Sequence, residues 1–320
     1  MHKGALTALA LALLLATAAS AASAGEAGST AILFERNGDL YAISLDGSRT
    51  VRLTNTPVWG EFDPAASPDG RTIAYSRRRG YGRPSAIWVM NLDGTARTRL
   101  TSRSDFDPAW TPDGRAIYFT RVLVQADEGP SHSFHEACGS IFRIGADGRD
   151  IRLLTNPPWK DSFHSHDDPA VSPDGLRIAF TDANQCSGGT TSFALRVVDQ
   201  DGRVTDDLSR LQGNAYPVLP LNASPSWSPD GERLVFGGNG SLYIAHRTGR
   251  GARRLTPKNL PVDFLFCDPS WSPDGRWIAF LGGRTHDLYV IGADGTGLRR
   301  LMKTAAREGS PSWLPRLPSR

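Results

Sequence analysis

The chain has 320 residues, with 36 lysines and arginines against 33 aspartates and glutamates, for a formal net charge of +3. This near-neutral balance argues against nucleic acid or an anionic membrane surface as a partner. The length alone suggests about two domains. An internal repeat that spans nearly the whole chain predicts one domain instead.

The N-terminus has the composition of a secretory signal peptide. Lys3 supplies positive charge, residues 5–18 are apolar or small, and Ala22-Ser23-Ala24 fits a small-residue cleavage site. The apolar run is too short and too rich in alanine for a membrane span. We expect cleavage of residues 1–24, a short linker at 25–30 and a secreted or periplasmic product without membrane insertion. An uncleaved anchor is the competing interpretation.

The tetrapeptide Ser-Pro-Asp-Gly recurs along the chain. It begins at residues 67, 172, 228 and 272, with a Thr-Pro-Asp-Gly variant at residue 111. A proline lies four residues before each repeat proline, and an apolar alternating run follows each glycine. Successive glycines are 44, 61, 56 and 44 residues apart. Units of this length, built of short strands and tight turns, are typical of propeller blades.

The second unit shows the predicted blade. Its four strands, from the centre of the ring outwards, cover residues 64–67, 71–77, 86–90 and 97–101. Asp-Gly turns follow the first and third strands, because glycine accepts positive φ and aspartate can bond to the backbone ahead. The same template fits residues 108–155, 169–209, 225–256 and 269–302.

The two ends of the chain supply a sixth blade between them. Residues 31–54 read as a blade without its inner strand, and residues 310–315 match the inner strand of the other units. Pairing these segments closes the ring and leaves no open sheet edge. We therefore predict an all-β, six-bladed propeller of four-stranded antiparallel blades over 31–315, followed by a tail at 316–320.

Four tryptophans share one position of the repeat, two residues after the first proline. They are Trp110, Trp227, Trp271 and Trp313. We predict that they pack between neighbouring blades, since large aromatic side chains at a fixed repeat position fill equivalent gaps. A ligand-binding aromatic ring is the alternative.

The repeat Pro-x-Trp-Ser-Pro-Asp-Gly, followed by an apolar strand and by Leu-Tyr-x-x-x-x-Asp-Gly, resembles the WD-like propeller repeats of the TolB family. Related repeats occur in tricorn protease and in relatives of prolyl oligopeptidase. The resemblance covers residues 31 to about 315 and implies the fold rather than a function. Between Gly25 and Ala31 we expect no counterpart of the N-terminal α/β domain of TolB, so a role with the Tol–Pal system does not simply transfer.

Loop lengths are uneven between the two faces of the predicted ring. Connections after second strands and between blades share one face, which we call the loop-rich face. Nearly all the length variation lies there, at residues 122–139, 156–167, 183–191, 210–223 and 257–267. Insertions on one face of a repeat protein commonly mark its working surface.

Two of these loops are rich in histidine. His132 and His135 lie in one loop, and His164 and His166 lie in the next. Imidazole and carboxylate groups are ligands for zinc or copper, so a divalent metal site is one hypothesis. Hydrogen-bonded surface histidines are the other, because His-x-x-His and His-x-His on loops are weak motifs.

The residue before the first repeat proline is acidic in four blades, as Asp63, Asp107, Asp168 and Asp268, and is Ser224 or Ser310 in the other two. We expect these carboxylates at the mouth of the central channel, where they would attract a cation or a basic segment of a partner. The alternative is that each aspartate caps its local turn.

Three cysteines in an exported chain allow one disulfide. Cys138 and Cys186 precede the third strands of adjacent blades at nearly equivalent positions, so we predict that they pair. Cys267 would then stay free.

No catalytic motif accompanies the repeat: the chain has no Gly-x-Ser-x-Gly, no phosphate-binding loop and no His-Glu-x-x-His. We therefore predict an exported, monomeric, non-enzymatic module without a certain cofactor, which docks a protein segment or cell-envelope ligand at the loop-rich face. The alternative is a metal-dependent enzyme acting on an acidic sugar, from the histidine-rich loops and a resemblance to oligogalacturonate lyases. Distant carboxylate pairs for glycoside hydrolysis, and a sensor ectodomain, also stay open.

Overall fold

The computed structural model describes residues 30–80, 83–123, 138–155, 164–184, 192–208, 221–260, 268–283, 285–304 and 306–318. They form six four-stranded antiparallel sheets, arranged as the blades of a propeller. This confirms the predicted fold class and the number of blades. The described part of the chain holds no helix long and apolar enough to cross a bilayer.

The first three blades contain twelve strands. The first blade comprises β1 (Ala31–Arg36), β2 (Asp39–Ser44), β3 (Thr50–Arg52) and β24 (Glu308–Leu314). The second comprises β4 (Gly60–Ala66), β5 (Thr72–Arg78), β6 (Ala86–Asn91) and β7 (Thr98–Arg99). The third comprises β8 (Asp105–Trp110), β9 (Ala116–Leu123), β10 (Cys138–Gly145) and β11 (Arg152–Leu153).

The other three blades follow the same order. The fourth comprises β12 (His164–Val171), β13 (Arg177–Asn184), β14 (Ser192–Asp199) and β15 (Val204–Asp207). The fifth comprises β16 (Leu221–Trp227), β17 (Arg233–Gly238), β18 (Ser241–His246) and β19 (Arg253–Arg254). The sixth comprises β20 (Ser270–Trp271), β21 (Trp277–Gly282), β22 (Asp287–Gly292) and β23 (Arg299–Arg300).

The ring is closed by the two ends of the chain. Strand β24 pairs antiparallel with β1, so that Ala31 lies opposite Leu314 and Ile32 lies opposite Trp313. The C-terminal strand is thus the inner strand of the first blade, as the sequence predicts. This pairing covers the edge of β1, which would otherwise be open.

The Ser-Pro-Asp-Gly turns are stabilised by a repeated set of hydrogen bonds. In the second blade, the Ser67 hydroxyl donates to Asp69 at 2.6 Å, and the backbone N–H of Arg71 donates to the same carboxylate at 3.0 Å. The backbone N–H of Thr72 donates to the Ser67 hydroxyl oxygen at 3.0 Å. These bonds lower the pKa of Asp69, and the fifth and sixth blades repeat them.

The core lies between neighbouring blades as well as within them. Trp227 is 6% exposed and packs with residues of the fourth and fifth blades. Its indole N–H donates to the backbone oxygen of Ala170, in the blade before, at 3.1 Å. Trp110 and Trp313 make the equivalent bond to Ala65 and Ser270. The predicted packing between blades is confirmed for these tryptophans.

The strand directions assign each connection to a face. The inner-to-second and third-to-outer turns share one face, which we call the turn face, and Gln200 links two of them by donating to the backbone oxygen of Gly175 at 2.7 Å. The second-to-third connections and the blade junctions lie on the loop-rich face. On this face, the backbone N–H of Glu61 in the second blade donates to the backbone oxygen of Gly38 in the first blade at 2.9 Å.

Replacing Trp313 tests the closure of the ring. Its side chain is 6% exposed, packs between the sixth and first blades, and donates to the Ser270 oxygen at 2.8 Å. We expect Trp313→Ala to lower the free energy of unfolding by about 3–5 kcal/mol through the cavity that it leaves. Trp313→Phe should cost less, about 1–2 kcal/mol.

The matched control is Trp59→Ala, at a tryptophan that is 39% exposed. It should change the free energy of unfolding by less than about 1 kcal/mol in the same urea titration. Equal effects of the two alanine substitutions would show that the closing strand does not hold the fold together.

Candidate binding channel

A cavity of about 1110 Å³ runs along the centre of the ring. Residues from all six inner strands contribute to its wall, because the inner strand of each blade faces the axis. The residues that line the cavity change in character along each inner strand. In the second blade, Phe62 lies towards the loop-rich face, Asp63 follows it, and Pro68 lies towards the turn face.

A bulge interrupts the inner strand at the repeat proline. In the second blade, Phe62 lies opposite Ser76 and Ala65 lies opposite Ala74, so that Asp63 and Pro64 together face Tyr75. The third, fourth, fifth and first blades show the same shift. The residue facing each bulge is a fully buried aromatic, namely Phe34, Tyr75, Phe119, Phe180 or Phe236.

The residue before the repeat proline has a left-handed backbone in all six blades, and in five of them it is the first residue of the bulge. The φ angles are 49° at Asp63, 52° at Asp107, 54° at Asp168, 38° at Ser224, 31° at Asp268 and 41° at Ser310. Aspartate tolerates this region better than most residues, but a residue before proline usually avoids it. The conformation turns six equivalent side chains towards the cavity, which they all line.

These six residues form a hydrogen-bonded circle, which we call the channel ring. The Ser310 hydroxyl lies 3.2 Å from Asp63 and 3.3 Å from Asp268, and the Ser224 hydroxyl donates to Asp168 at 3.0 Å. The backbone N–H of Asp107 donates to Asp63. The carboxyl groups of Asp107 and Asp168 bond to each other, which requires a proton on one of them.

The sequence predicts that these four aspartates come together, and the structure brings them together. The structure places them in the inner strands or just before them, and Asp63 is the fourth of seven residues in β4. The sequence analysis predicts a shorter inner strand, with these aspartates at the point where the chain enters it. The inner strand of the second blade begins at Gly60 rather than at Pro64, because the bulge lets pairing continue upstream of the proline.

Burial raises the pKa of every ring aspartate, and repulsion from nearby carboxylates raises it further at Asp107, Asp168 and Asp268. Each side chain is half-buried, since it faces the lumen while protein surrounds it on the other sides. Desolvation is the largest cause, and it raises the pKa of Asp168 to about 6 and that of Asp268 to about 7. The pKa of Asp107 is raised well above its ordinary value by burial and then by the charges of Asp63 and Asp168.

Three further acids line the cavity that sequence reasoning missed: Glu35, Asp167 and Glu308. Burial raises the pKa of Glu35 to about 7 and that of Asp167 to about 6. Asp167 accepts a hydrogen bond from the Ser165 hydroxyl at 2.7 Å. Glu35, on a second strand, and Asp167, next to a ring residue, carry no repeat signal, whereas Glu308 lies two residues before Ser310, a repeat position that is also acidic at Glu61 and Asp105.

Two arginines, Arg78 and Arg307, also line the cavity. The guanidinium carbon of Arg78 lies 4.5 Å from the centre of the Phe62 ring, and its charge lowers the pKa of Asp63. The arginines neutralise part of the negative charge, and the carboxyl groups outnumber them. The cavity therefore favours positively charged groups.

The predicted histidine cluster is described in part. His166 is 7% exposed, its Nδ1 lies 2.9 Å from the Thr155 hydroxyl, and its Nε2 lies 3.7 Å from Asp182. It occupies the position of Glu61, Asp105 and Glu308 in other blades, two residues before the ring residue. His132, His135 and the side chain of His164 lie outside the described residues. Within the described ranges, no three His, Cys, Asp or Glu side chains are grouped to hold a metal ion.

The predicted disulfide lies outside the description. The backbone of Cys138 begins β10 opposite Leu123, but its side chain and the whole of Cys186 belong to the residues that are left out. The pairing of these two cysteines stays a prediction. The same holds for the signal peptide at residues 1–24.

The repeat matches a known family. A family profile for the TolB beta propeller domain matches residues 19–219. The chain belongs to the TolB β-propeller family. The Tol-Pal system protein TolB of Xanthomonas campestris pv. campestris (strain B100) is 40% identical over 83 residues. That match covers 25% of this chain and 17% of the TolB protein, so the chain spans a small part of the length of this relative.

Two solved structures resemble this chain over most of the propeller. TolB from Acinetobacter baumannii has a TM-score of 0.62 at 20% identity, over 90% of this chain and 66% of that one. An oligogalacturonate lyase from Vibrio parahaemolyticus has a TM-score of 0.51 at 14% identity, over 78% of this chain and 71% of that one. At these identities the likeness shows the fold alone.

The raised pKa values of the ring predict an unusual pH dependence of stability. The folded-state pKa values of about 6 for Asp168 and about 7 for Asp268 exceed the ordinary value of 3.8, so the folded state binds more protons. The free energy of unfolding should therefore fall as pH rises from 4 through 7. Between pH 5 and pH 8 we expect a loss of roughly 2–4 kcal/mol in urea titrations.

Asp268→Asn should reduce this loss, because the amide keeps the shape and removes the titration. Asp230→Asn is the control, since hydrogen bonds from Ser228 and from the Glu232 backbone lower the pKa of this turn aspartate. It should leave the slope between pH 5 and pH 8 unchanged. A slope that Asp268→Asn does not alter would contradict the raised pKa.

Proposed function

We propose that this protein is an exported, non-enzymatic binding module of the cell envelope, which docks a protein segment at its loop-rich face. The observation that carries the proposal is the central cavity of about 1110 Å³ with its charged wall. A concave site lined by a few convergent polar groups is the usual form of a binding site. The name of the Xanthomonas relative, a Tol-Pal system protein, supports a place in the envelope.

The choice of face follows from the connections and from the exposed side chains. Strand β9 ends at Leu123 and β10 begins at Cys138, whereas the turn between β8 and β9 is a tight Thr-Pro-Asp-Gly. Val58 and Trp59, at the junction before the second blade, are 56% and 39% exposed. Tryptophan is enriched among the residues that dominate binding energy at protein interfaces.

Trp59 is held in place for such a role. The guanidinium carbon of Arg77 lies between two indole rings, 4.7 Å from the centre of Trp59 and 4.8 Å from that of Trp88. The same guanidinium lies 3.6 Å from the carboxylate of Glu61, which is buried. A rigid, partly exposed aromatic side chain loses little conformational entropy when a partner covers it.

The charge of the cavity argues against the alternative, an enzyme for an acidic sugar. The ring aspartates together with Glu35, Asp167 and Glu308 present carboxyl groups to any ligand in the channel. A polyanionic sugar would meet like charge there. The neutral or basic ligand of a binding module fits this wall better.

The location follows from the same proposal. A cleaved signal peptide at residues 1–24 would export the chain, and the Tol-Pal relative favours the periplasm over secretion into the medium. We expect a monomer, because the closed ring pairs the inner strand of the first blade within the chain.

Site-specific photo-crosslinking tests the choice of face. A photoreactive amino acid placed at Trp59, on the loop-rich face, should form adducts with an envelope protein in intact cells. The matched position is Leu176, which is 56% exposed and follows a turn of the fourth blade on the turn face. We expect adducts from position 59 and few from position 176. Adducts from position 176 alone would place docking on the wrong face.

Metal analysis separates the module from the metal-dependent enzyme. Protein purified without a histidine tag should carry well below one equivalent of transition metal by mass spectrometry. One tightly bound equivalent, lost in His132→Ala or His135→Ala but kept in His246→Ala, would favour the enzyme instead. His246 is a matched control because it lies on β18, away from both histidine-rich loops.

A further inference from the structure

The second and third blades present the same two side chains to the channel. Phe62 precedes Asp63 in the second blade, and Phe106 precedes Asp107 in the third. All four side chains line the cavity and are half-buried. In each blade the aspartate has a left-handed backbone at the same bulge. The two blades thus offer matched pairs, and a comparison between them shows what each pair binds.

In the second blade an arginine of the same blade completes the pair. Arg78, from β5, lies with its guanidinium carbon 4.5 Å from the centre of the Phe62 ring, and its charge acts on Asp63. A guanidinium over an aromatic face and beside a carboxylate is a favourable arrangement for both contacts. The protein itself therefore shows which chemical group this wall accepts.

In the third blade the corresponding arginine is replaced. In the strand register, Glu61 lies opposite Arg77 in the second blade and Asp105 lies opposite Arg121 in the third. The residue after each arginine is Arg78 in the second blade and Val122 in the third, so Val122 occupies the position of Arg78. The described residues place no guanidinium over the Phe106 ring. Arg121 is committed elsewhere: it is 7% exposed and makes two hydrogen bonds to Asp105, at 2.6 and 2.9 Å.

The charges around Asp107 reinforce the difference. The groups that act on this carboxyl are other acids, from the second, fourth and sixth blades: Asp63, Asp167, Asp168 and Asp268. By contrast, Arg78 acts on Asp63. A positive group beside Asp107 would relieve repulsion from all of its neighbours at once.

A further buried acid, from the first blade, also belongs to the cavity wall. The Glu308 side chain is fully buried and lines the cavity. Its Oε1 accepts hydrogen bonds from the Thr304 hydroxyl at 2.5 Å and from Arg36 at 3.3 Å, whereas Oε2 has no hydrogen-bond partner among the described residues. A buried carboxylate oxygen without a donor is costly, so Glu308 adds to the unrelieved acidity of the cavity wall.

We propose that the channel binds a guanidinium group of the docked protein segment over Phe106 and beside Asp107, in the arrangement that Arg78 makes with Phe62 and Asp63. The inference rests on the proposed docking function and names the chemistry of the group that enters the channel. Guanidinium fits better than ammonium, because it is planar and stacks on an aromatic face. The bound positive charge lowers the pKa of Asp107, so binding releases protons and tightens as pH rises.

Titration calorimetry with a matched pair of peptides tests the proposal. The probes are acetyl-Gly-Arg-Gly-amide and the same peptide with citrulline, a neutral group of nearly the same shape. At pH 7.5 and low salt, the arginine peptide should bind at least about tenfold more tightly than the citrulline peptide. Asp107→Asn should weaken binding of the arginine peptide about tenfold and leave the citrulline peptide unaffected.

A gain of the internal arginine is the sharpest variant. Val122→Arg restores in the third blade the residue that the second blade has, and it should abolish binding of the arginine peptide. Val204→Arg is the control, since it adds the same charge at a 54% exposed position of an outer strand. Thermal unfolding shows whether each variant is folded. If Val122→Arg does not fold, the binding of the arginine peptide to Asp107→Asn tests the proposal instead, with Asp230→Asn as the control.

Two results would overturn the proposal. One is equal affinity for the arginine and citrulline peptides. The other is equal loss of binding in the two members of a control pair, which would indicate unspecific attraction to negative charge. If crosslinking from position 59 persists in Asp107→Asn, the docking function still stands. Failure of the guanidinium proposal can therefore be distinguished from failure of the proposed docking function.

Discussion

The structure of the channel depends on one backbone constraint, the left-handed residue before proline in each inner strand. This residue and its proline face one buried aromatic across the sheet, and the resulting bulge turns the first side chain towards the axis. Without the bulge, the two-residue period of the strand would direct side chains differently beyond the proline. Five blades show this bulge, and the left-handed residues of all six blades bring four aspartates and two serines into contact.

The same residue type has opposite roles at two places in the repeat. Aspartates of the Ser-Pro-Asp-Gly turns are solvent-exposed and accept hydrogen bonds, as Asp69 does from Ser67, and their pKa is lowered. Aspartates of the channel ring are crowded by other carboxyl groups and desolvated, so their pKa is raised. The turns therefore stabilise the fold at neutral pH, and the ring stores unfavourable charge that a cationic ligand can relieve.

The sequence predicted the features that local chemistry determines. The Asp-Gly turns, the six blades and the pairing of residues near Trp313 with those near Ala31 follow from repeated patterns, and the structure confirms them. The ring aspartates were found because they recur before a proline. Glu35, Asp167 and Arg78 were missed because their approach to the axis depends on the bulge and on neighbouring blades, which no single repeat encodes. His166 was predicted in a loop but lies on the inner strand β12, where it is buried and contacts Thr155, and nothing in the sequence distinguishes these two placements.

The channel ring is tested most directly by titrating the aspartate carboxyl groups with carbon-13 NMR, with Asp63, Asp107, Asp168 and Asp268 assigned by single Asn substitutions. We predict that the ring signals titrate at distinctly higher pH than the signals of the turn aspartates, and that the ring signals of the wild-type protein shift together because the ring shares protons. Ring and turn aspartates that titrate over the same acidic range would contradict this prediction.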